Sequence, residues 1–571
     1  MNKKLKKRIL LCTLVLIVIC GIFVIHVYGY TMLVILENHT PVSIRYDFPR
    51  KLKYGTSDVL EIQEVQEKEM LKEYEKGNYT IDNPYIKVNP YGRNSLSAYM
   101  KIPTEKEVKY TYTVKGKTEN TNFSYSSNMY EKDPVLPIIA LYSNYENKIQ
   151  IVLEEKDGTT SNYTYEIELK DKIDKLNPEK INIETFDKEA EAETLDNNFI
   201  FDGNMNGYDE NGDLRFTGIT TYRNSFMRLI NNKFLIGYNK DSILPDEYYA
   251  KHVFEMNAMG KFNKEYTLRA PNGYGFHHDM IYSKDTNKIY ALISTQQGKE
   301  AYSAEQYGEG QIAVYNADTL ELEKQYDLTE QIPQDIAVGP ETSQFDIHFN
   351  ALAYNNQRNE LLISSRSASK IIGIDADSGA ITWILGDPNT IPEGLKDKEL
   401  IPQGTNMTYT HGQHSLYIED SKKYQDYYDK GELVITMYDN NNVKHDAKGT
   451  EKSVKLSDED KKSENIEASD SEYSRIITYA INFEDKTFEL INAINLEYYS
   501  PFCSNVYEIY DKYYIVFSAA GAIELYDFDG NQLINISDMR GSIPIKHRFI
   551  MGYRGYIYTN EQIQNSVSFT D

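Results

Sequence analysis

Three short segments of this 571-residue chain share one plan: a histidine, or a pair, at or just ahead of a strand-like run, then a turn, then a second apolar run. They read Gly275-Phe-His277-His278-Asp279-Met280-Ile281, Asp346-Ile-His348-Phe-Asn350-Ala-Leu352 and His411-Gly-Gln-His414-Ser-Leu-Tyr417-Ile418. The chain has only 10 histidines, and five of them sit in these segments. The spacing is regular, since 348 minus 278 is 70 and 414 minus 348 is 66.

A regular recurrence of this length argues for a repeat architecture, longer than the roughly 40–50 residues of common propeller blades but open to loop insertion. In the second copy, Ala351-Leu-Ala-Tyr354 is followed by a polar turn at Asn355-Asn-Gln-Arg-Asn359 and by Leu361-Leu-Ile-Ser364. Ile371-Ile-Gly-Ile-Asp375, a turn at Asp377-Ser-Gly379 and Ile381-Thr-Trp-Ile384 complete it. Four short strands with turn residues between them make one blade of a β-propeller. Blades bring equivalent positions together around one axis, so histidines distant in sequence can converge on a central channel.

The chain's ends bear on its compartment. Lys3, Lys4, Lys6, Lys7 and Arg8 precede an apolar run from Ile9 to Val27, about the length that spans a bilayer core. The basic flank places the N-terminus inside and the rest outside. We therefore expect residues 1–28 to be a single-pass membrane anchor with an extracytoplasmic catalytic part, the alternative being secretion after signal cleavage. Val27-Tyr28-Gly29 is a poor small-x-small cleavage site. Residues 29–82 read as a linker whose spacer helix begins near Ser57 and ends at Gly77, and 83–175 as a compact β-sandwich. Residues 196–571 read as the propeller, with a charged loop inserted at 444–471. Only Cys503 lies outside the apolar run, so the remainder has no internal disulfide to form. A net charge of −25 argues against nucleic acid as a partner.

The chemistry follows from residue types. Imidazole can act as nucleophile, acid, base or metal ligand. Arg366, directly after the second copy's strand, offers a planar fork of donors suited to sulfate-like or phosphate-like oxygens. Several imidazoles with one guanidinium suit transfer of a tetrahedral anionic group. A metal centre is disfavoured, because no HExxH spacing accompanies the histidines and an arginine repels a cation. Histidines in blades also serve simply as bonds between neighbours. In an ideal strand His277 and His278 face opposite sides, so only one of them would reach the channel, and His411 and His414 pose the same alternative. Asp279 and Asn350 are candidates either to orient neighbouring rings or to close turns. Phe276, Phe349, Tyr409 and Phe502 are candidates to stack on an aromatic substrate or to fill the core. A sulfate or phosphate ester hydrolase and a non-catalytic binding propeller both remain compatible with these residue types.

Phe276-His277-His278-Asp279-Met280, Phe345-Asp-Ile-His348-Phe-Asn350, Ile363-Ser-Ser-Arg366, Gln413-His414-Ser415 and Met437-Tyr-Asp-Asn440 together resemble the signature segments of the bacterial arylsulfate sulfotransferases. Tyr473-Ser-Arg475-Ile-Ile-Thr-Tyr479 resembles that family's next blade, and Asn89-Pro-Tyr-Gly92 its N-terminal sandwich. The resemblance implies an all-β fold, a six-bladed propeller behind a small sandwich, and often a homodimer. It also implies ping-pong transfer of a sulfuryl group from a phenolic sulfate donor to a phenolic acceptor, with no nucleotide, metal or other cofactor. By position, His414 is similar to the histidine that becomes sulfonated, His278 and His348 to its partner histidines, and Arg366 to the sulfate-binding arginine. Within that scheme His278 would serve as general acid and base, and His348 would stabilise the sulfuryl group. The apolar N-terminal run and the absence of a cysteine pair depart from the family's pattern.

Overall fold

The computed structural model describes residues 58–169, 178–203, 205–218, 227–238, 252–267, 273–296, 307–332, 348–405, 407–441, 443–445, 451–453, 473–500, 503–518, 521–537 and 553–568. The apolar run 9–27 lies outside these. Among the described residues no helix is long and apolar enough to cross a membrane.

The helix expected near residue 57 spans Asp58–Lys76. It buries Met70, and Gln63 crosses to Phe262, donating to its carbonyl at 2.7 Å and accepting from its N–H at 2.8 Å. Behind it lie two small antiparallel sheets. One pairs Tyr85–Val88, Ala98–Lys101 and Val135–Ile138; the other runs Phe123–Ser126, Val108–Val114, Glu146–Glu155, Thr160–Glu168 in spatial order. Strict alternation buries Ile149, Ile151 and Leu153 and leaves Lys148, Gln150 and Val152 outward, which is the signature of a sheet with one wet face.

Six further antiparallel sheets follow. The first holds Leu214–Phe216, Gly207–Tyr208 and Asn198–Phe201, joined by the C-terminal strand Tyr556–Thr559. The second contains Met227–Ile230, Lys233–Tyr238, His252–Met256 and Phe262–Thr267. The third contains Gly273–Ser283, Lys288–Gln296, Tyr307–Asn316 and Leu322–Asp327. The fourth contains Phe349–Asn355, Glu360–Ser365, Lys370–Asp375 and Ile381–Leu385, each overlapping the run read from sequence. The fifth contains His414–Ile418, Leu433–Asp439, Arg475–Asn482 and Thr487–Asn495, with Ile401–Gln403 added in parallel. The sixth contains Asn505–Ile509, Tyr513–Ser518, Ala522–Asp527 and Gln532–Ser537, to which the early strand Asn182–Thr185 is added.

Two sequence readings are corrected here. Arg475–Asn482 is not a new blade: it pairs with Leu433–Asp439 in the fifth sheet, because the charged insertion interrupts that sheet between its second and third strands. The insertion also opens on a two-stranded ribbon, Val443–His445 with Glu451–Ser453, where a charged, solvated loop was expected.

Hydrogen bonds link one strand of each sheet to the next. The Leu352 N–H donates to Asp279 at 2.9 Å, Asn350 Nδ2 donates to the Gln413 carbonyl at 2.7 Å, and Ser415 Oγ donates to the Val506 carbonyl at 3.2 Å. Asn505 Nδ2 donates to the Gly555 carbonyl at 3.1 Å and the Ile557 N–H donates to Tyr507 at 2.7 Å. The Leu229 N–H donates to Tyr558 at 3.3 Å, and Arg228 pairs with Asp279 at 3.0 Å, so the series returns to its start.

The sandwich and the first of these six sheets meet around Arg215, which is fully buried. Its guanidinium donates to the Ala140 carbonyl at 2.9 and 2.7 Å, the Thr121 carbonyl at 2.8 Å, Tyr142 Oη at 2.9 Å and Asp209 Oδ2 at 3.1 Å. Removing one member of a buried ion pair strands the other. Arg215→Ala is expected to lower unfolding free energy by about 3–5 kcal/mol in denaturant titration, more than any exposed lysine replacement on the same face.

Candidate functional site

Each histidine segment breaks the regular pleat at or just after its histidine. Phe276 pairs with Ile293 but Met280 with Ala291, so the stretch containing His277 and His278 bulges. Pairing slips again between Phe349 and Ala351, and between His414 and Tyr417. The backbone there is left-handed at His278 (φ +52), His348 (φ +46) and Ser415 (φ +61), an uncommon conformation outside glycine. Bulges re-aim side chains. Alternation is lost across His277 and His278, and their Nδ1 atoms lie 2.7 Å apart in a hydrogen bond.

The rings of His278 and His348 meet edge to face, with centroids 4.6 Å apart. Tyr553, arriving from the C-terminal strand's approach, packs on His278 at 5.1 Å and on His414 at 5.8 Å. His348 and Arg366 adjoin through the backbone, the Arg366 N–H donating to the His348 carbonyl at 3.0 Å. Arg366 is half-buried, and its guanidinium has no hydrogen-bond or ion-pair partner among the described residues.

His414 is buried and fixed at both nitrogens. Its Nδ1 lies 2.6 Å from Asn440 Oδ1, while the Asn440 amide nitrogen donates to the Ser500 and Cys503 carbonyls at 2.7 and 3.2 Å. The amide orientation is thereby set, so Oδ1 accepts and Nδ1 carries the proton. Nε2 keeps its lone pair and accepts from the Cys503 N–H at 3.2 Å. Burial holds His414 well below its ordinary value of 6.5, the Arg366 charge and the other two histidines adding to it and the Asn440 bond opposing it. The ring is therefore a neutral nucleophile near neutrality. Burial likewise pushes the Cys503 thiol up to about 12 despite Arg366 and Arg554, so it is no competing thiolate.

Asp279 touches neither ring. It pairs with Arg228 at 3.0 Å and Arg554 at 2.9 Å, tying sheets together. Asn350 spans to Gln413, and its carbonyl accepts from Arg554 at 3.0 Å. His411 enters through its backbone, donating to Asp439 at 2.7 Å. Phe276 and Phe349 are fully buried, so they fill the core and do not stack on a substrate; Phe502 lies outside the described residues. Tyr409 is half-buried. Sequence reasoning gave no role to Tyr553, Arg554 or Arg228, and quoted Asn440 only within a motif. The signal for a cation was the isolated acid Asp279 inside an apolar strand, which demands a counter-charge. Among the described residues no group of three or more His, Cys, Asp or Glu side chains is arranged to hold a metal ion.

The family model for Arylsulfotransferase (ASST) matches residues 141–544, and that for the Arylsulfotransferase Ig-like domain matches 85–170. The chain belongs to the arylsulfotransferase family. No curated protein matches this arylsulfotransferase in sequence. Solved structures similar to it include a protein from Lactobacillus plantarum (11% identity, TM-score 0.33, covering 79% of this chain and 99% of that one). The Cps50 (Swd1) beta-propeller domain of Myceliophteria thermophila is another (10% identity, TM-score 0.29, 63% and 86% coverage). At such scores neither likeness bears on fold or function.

The depressed basicity of His414 makes a pH prediction with a definite sign. The unfolded ring binds a proton below about 6.5 that the folded ring refuses, so this group removes stability as pH falls below that value. His414→Gln is expected to flatten the pH dependence of unfolding free energy between about pH 6.5 and 5, by up to about 1.4 kcal/mol per pH unit. Activity of the natural enzyme is expected to show no acid limb at 6.5 from this residue.

Proposed function

We propose that this arylsulfotransferase moves a sulfuryl group from a phenolic sulfate ester to a phenol in two steps through sulfonated His414. The observation that carries the reading is a neutral, buried imidazole nitrogen beside a guanidinium with no partner among the described residues. We read the six linked sheets as blades of a six-bladed propeller, with the segments that open the linked strands converging on the site.

His414 Nε2, giving up its hydrogen bond from the Cys503 N–H, attacks sulfur in line with the departing phenolate, and Arg366 with His348 binds the sulfuryl oxygens. Phenols have a pKa of about 10, so protonating the leaving oxygen aids expulsion near neutrality. His278, whose Nδ1 is engaged by His277, is the proposed acid and, in the second step, the base toward the acceptor. Tyr553 stays a neutral phenol, held well above its ordinary value chiefly by burial, and offers a ring face rather than a charge. The basic flank and apolar run at residues 3–27 support a membrane-anchored, extracytoplasmic enzyme.

p-Nitrophenyl sulfate with and without phenol, in EDTA, tests the reading. Phenol is expected to accelerate nitrophenolate release, with a sulfuryl adduct mapping to His414 when phenol is omitted. Arg366→Ala is expected to lower turnover by about 10²–10³. Release that ignores phenol would indicate a hydrolase, and a folded protein giving neither release nor adduct would indicate a binding module.

A further inference from the structure

An amide holds His414 at the position where hydrolytic triads hold their imidazole with a carboxylate. Asn440 is fully buried, donates from Nδ2 to two backbone carbonyls, and has Oδ1 left for the His414 Nδ1 proton at 2.6 Å. Its neighbour Asp439 is clamped by Arg475, whose Nε donates at 2.8 Å, so the segment carrying the amide is fixed. An amide oxygen accepts a hydrogen bond but does not take the proton.

We propose that Asn440 sets the reactivity of sulfonated His414 by keeping the proton on Nδ1, so that the N–S bond breaks to a neutral imidazole. The proposal rests on the covalent reading above. In the first step the Nε2 lone pair forms the N–S bond, and the S–O bond breaks with its electron pair on the phenolate oxygen, which takes a proton from the acid. The ring then has both nitrogens substituted and is an imidazolium bearing a sulfonate, neutral overall. In the second step the acceptor oxygen attacks sulfur, the N–S pair returns to Nε2, and the phenolic proton passes to the base. A carboxylate at residue 440 would draw off the Nδ1 proton. The ring would then have to leave as imidazolate, a much stronger base and a far worse leaving group, and the sulfuryl group would be stranded.

Full-length Asn440→Asp, compared with the natural chain in rapid-mix assays with p-nitrophenyl sulfate at about pH 9, tests this. Both proteins are expected to give a stoichiometric burst of nitrophenolate and a His414 adduct by intact mass. Discharge of that adduct to added phenol is expected to be at least about tenfold slower in the variant. The variant's burst rate is also expected to acquire an acid limb near neutrality, since a carboxylate favours the charged ring. Discharge at the natural rate overturns the proposal, and so does a folded variant that forms no adduct. A natural enzyme with no burst and no adduct overturns the covalent reading itself. If Asn440→Asp does not fold, 15N shifts of labelled histidine in the natural adduct serve: a protonated Nδ1 is expected, and a deprotonated one overturns the proposal.

Discussion

The carboxylate of Asp279 is the constraint on which the rest of the site depends. It is completely buried, and ionised groups are taken out of water only when paired and hydrogen-bonded. Two arginines answer it, Arg228 from the second sheet and Arg554 from the approach to the C-terminal strand, together with the N–H groups of Met280 and Leu352 at 2.9 Å each. One side chain thus joins the second, third and fourth sheets to the chain's end. It also holds Arg228 and Arg554 in ion pairs. Arg366, by contrast, has no hydrogen-bond or ion-pair partner among the described residues, which is why the proposed reading gives it the sulfuryl oxygens.

Backbone conformation does the positioning. An ideal strand alternates its side chains, so consecutive residues cannot both serve one pocket. Left-handed residues at His278, His348, Ser415, Cys503 and Ser504 break that rule within or just ahead of four linked strands. Each such residue costs on the order of 1–3 kcal/mol and persists only where its surroundings over-determine it. Those surroundings are visible: Gln413 donates to Ser364, Ser365 and Lys370 at 3.0–3.1 Å, fixing the residue before His414 to the neighbouring sheet. The strain at Cys503 has a local product, since it aims that residue's N–H at His414 Nε2.

How much of this could be read from the chain depended on range. The strands of the fourth sheet were readable because hydrophobic runs and Asn/Asp/Gly turns are local signals, and the histidine recurrence marked the three segments, while the choice of His278 and His414 over His277 and His411 came from the family resemblance. The bulges were not readable, because no glycine marks them. Phe276 and Phe349 look like substrate platforms beside histidines, yet both are fully buried in the core while the rings of His278 and His348 meet edge to face. Tyr553 and Arg554 carried no signal, since their place depends on the C-terminal strand joining Asn198–Phe201, more than 350 residues earlier. Asn440 belonged to a quoted motif, but its meaning lies in three hydrogen bonds that only the folded chain supplies.

The charges of the proposed cycle explain why these parts belong together. A phenolic sulfate brings one negative charge to Arg366. After transfer the sulfonate remains beside Arg366 and the ring has become cationic, so the departing phenolate must leave protonated or the pocket would lose its balance. That proton has to come from His278 as an imidazolium, which becomes neutral in the first step and is recharged in the second, with His277 Nδ1 2.7 Å from its Nδ1 to share the charge. Returning the sulfuryl group to a phenol reverses each of these changes. A neutral nucleophile, a neutral amide behind it and a guanidinium with no partner among the described residues are the arrangement in which both proposed half-reactions run between states of equal charge.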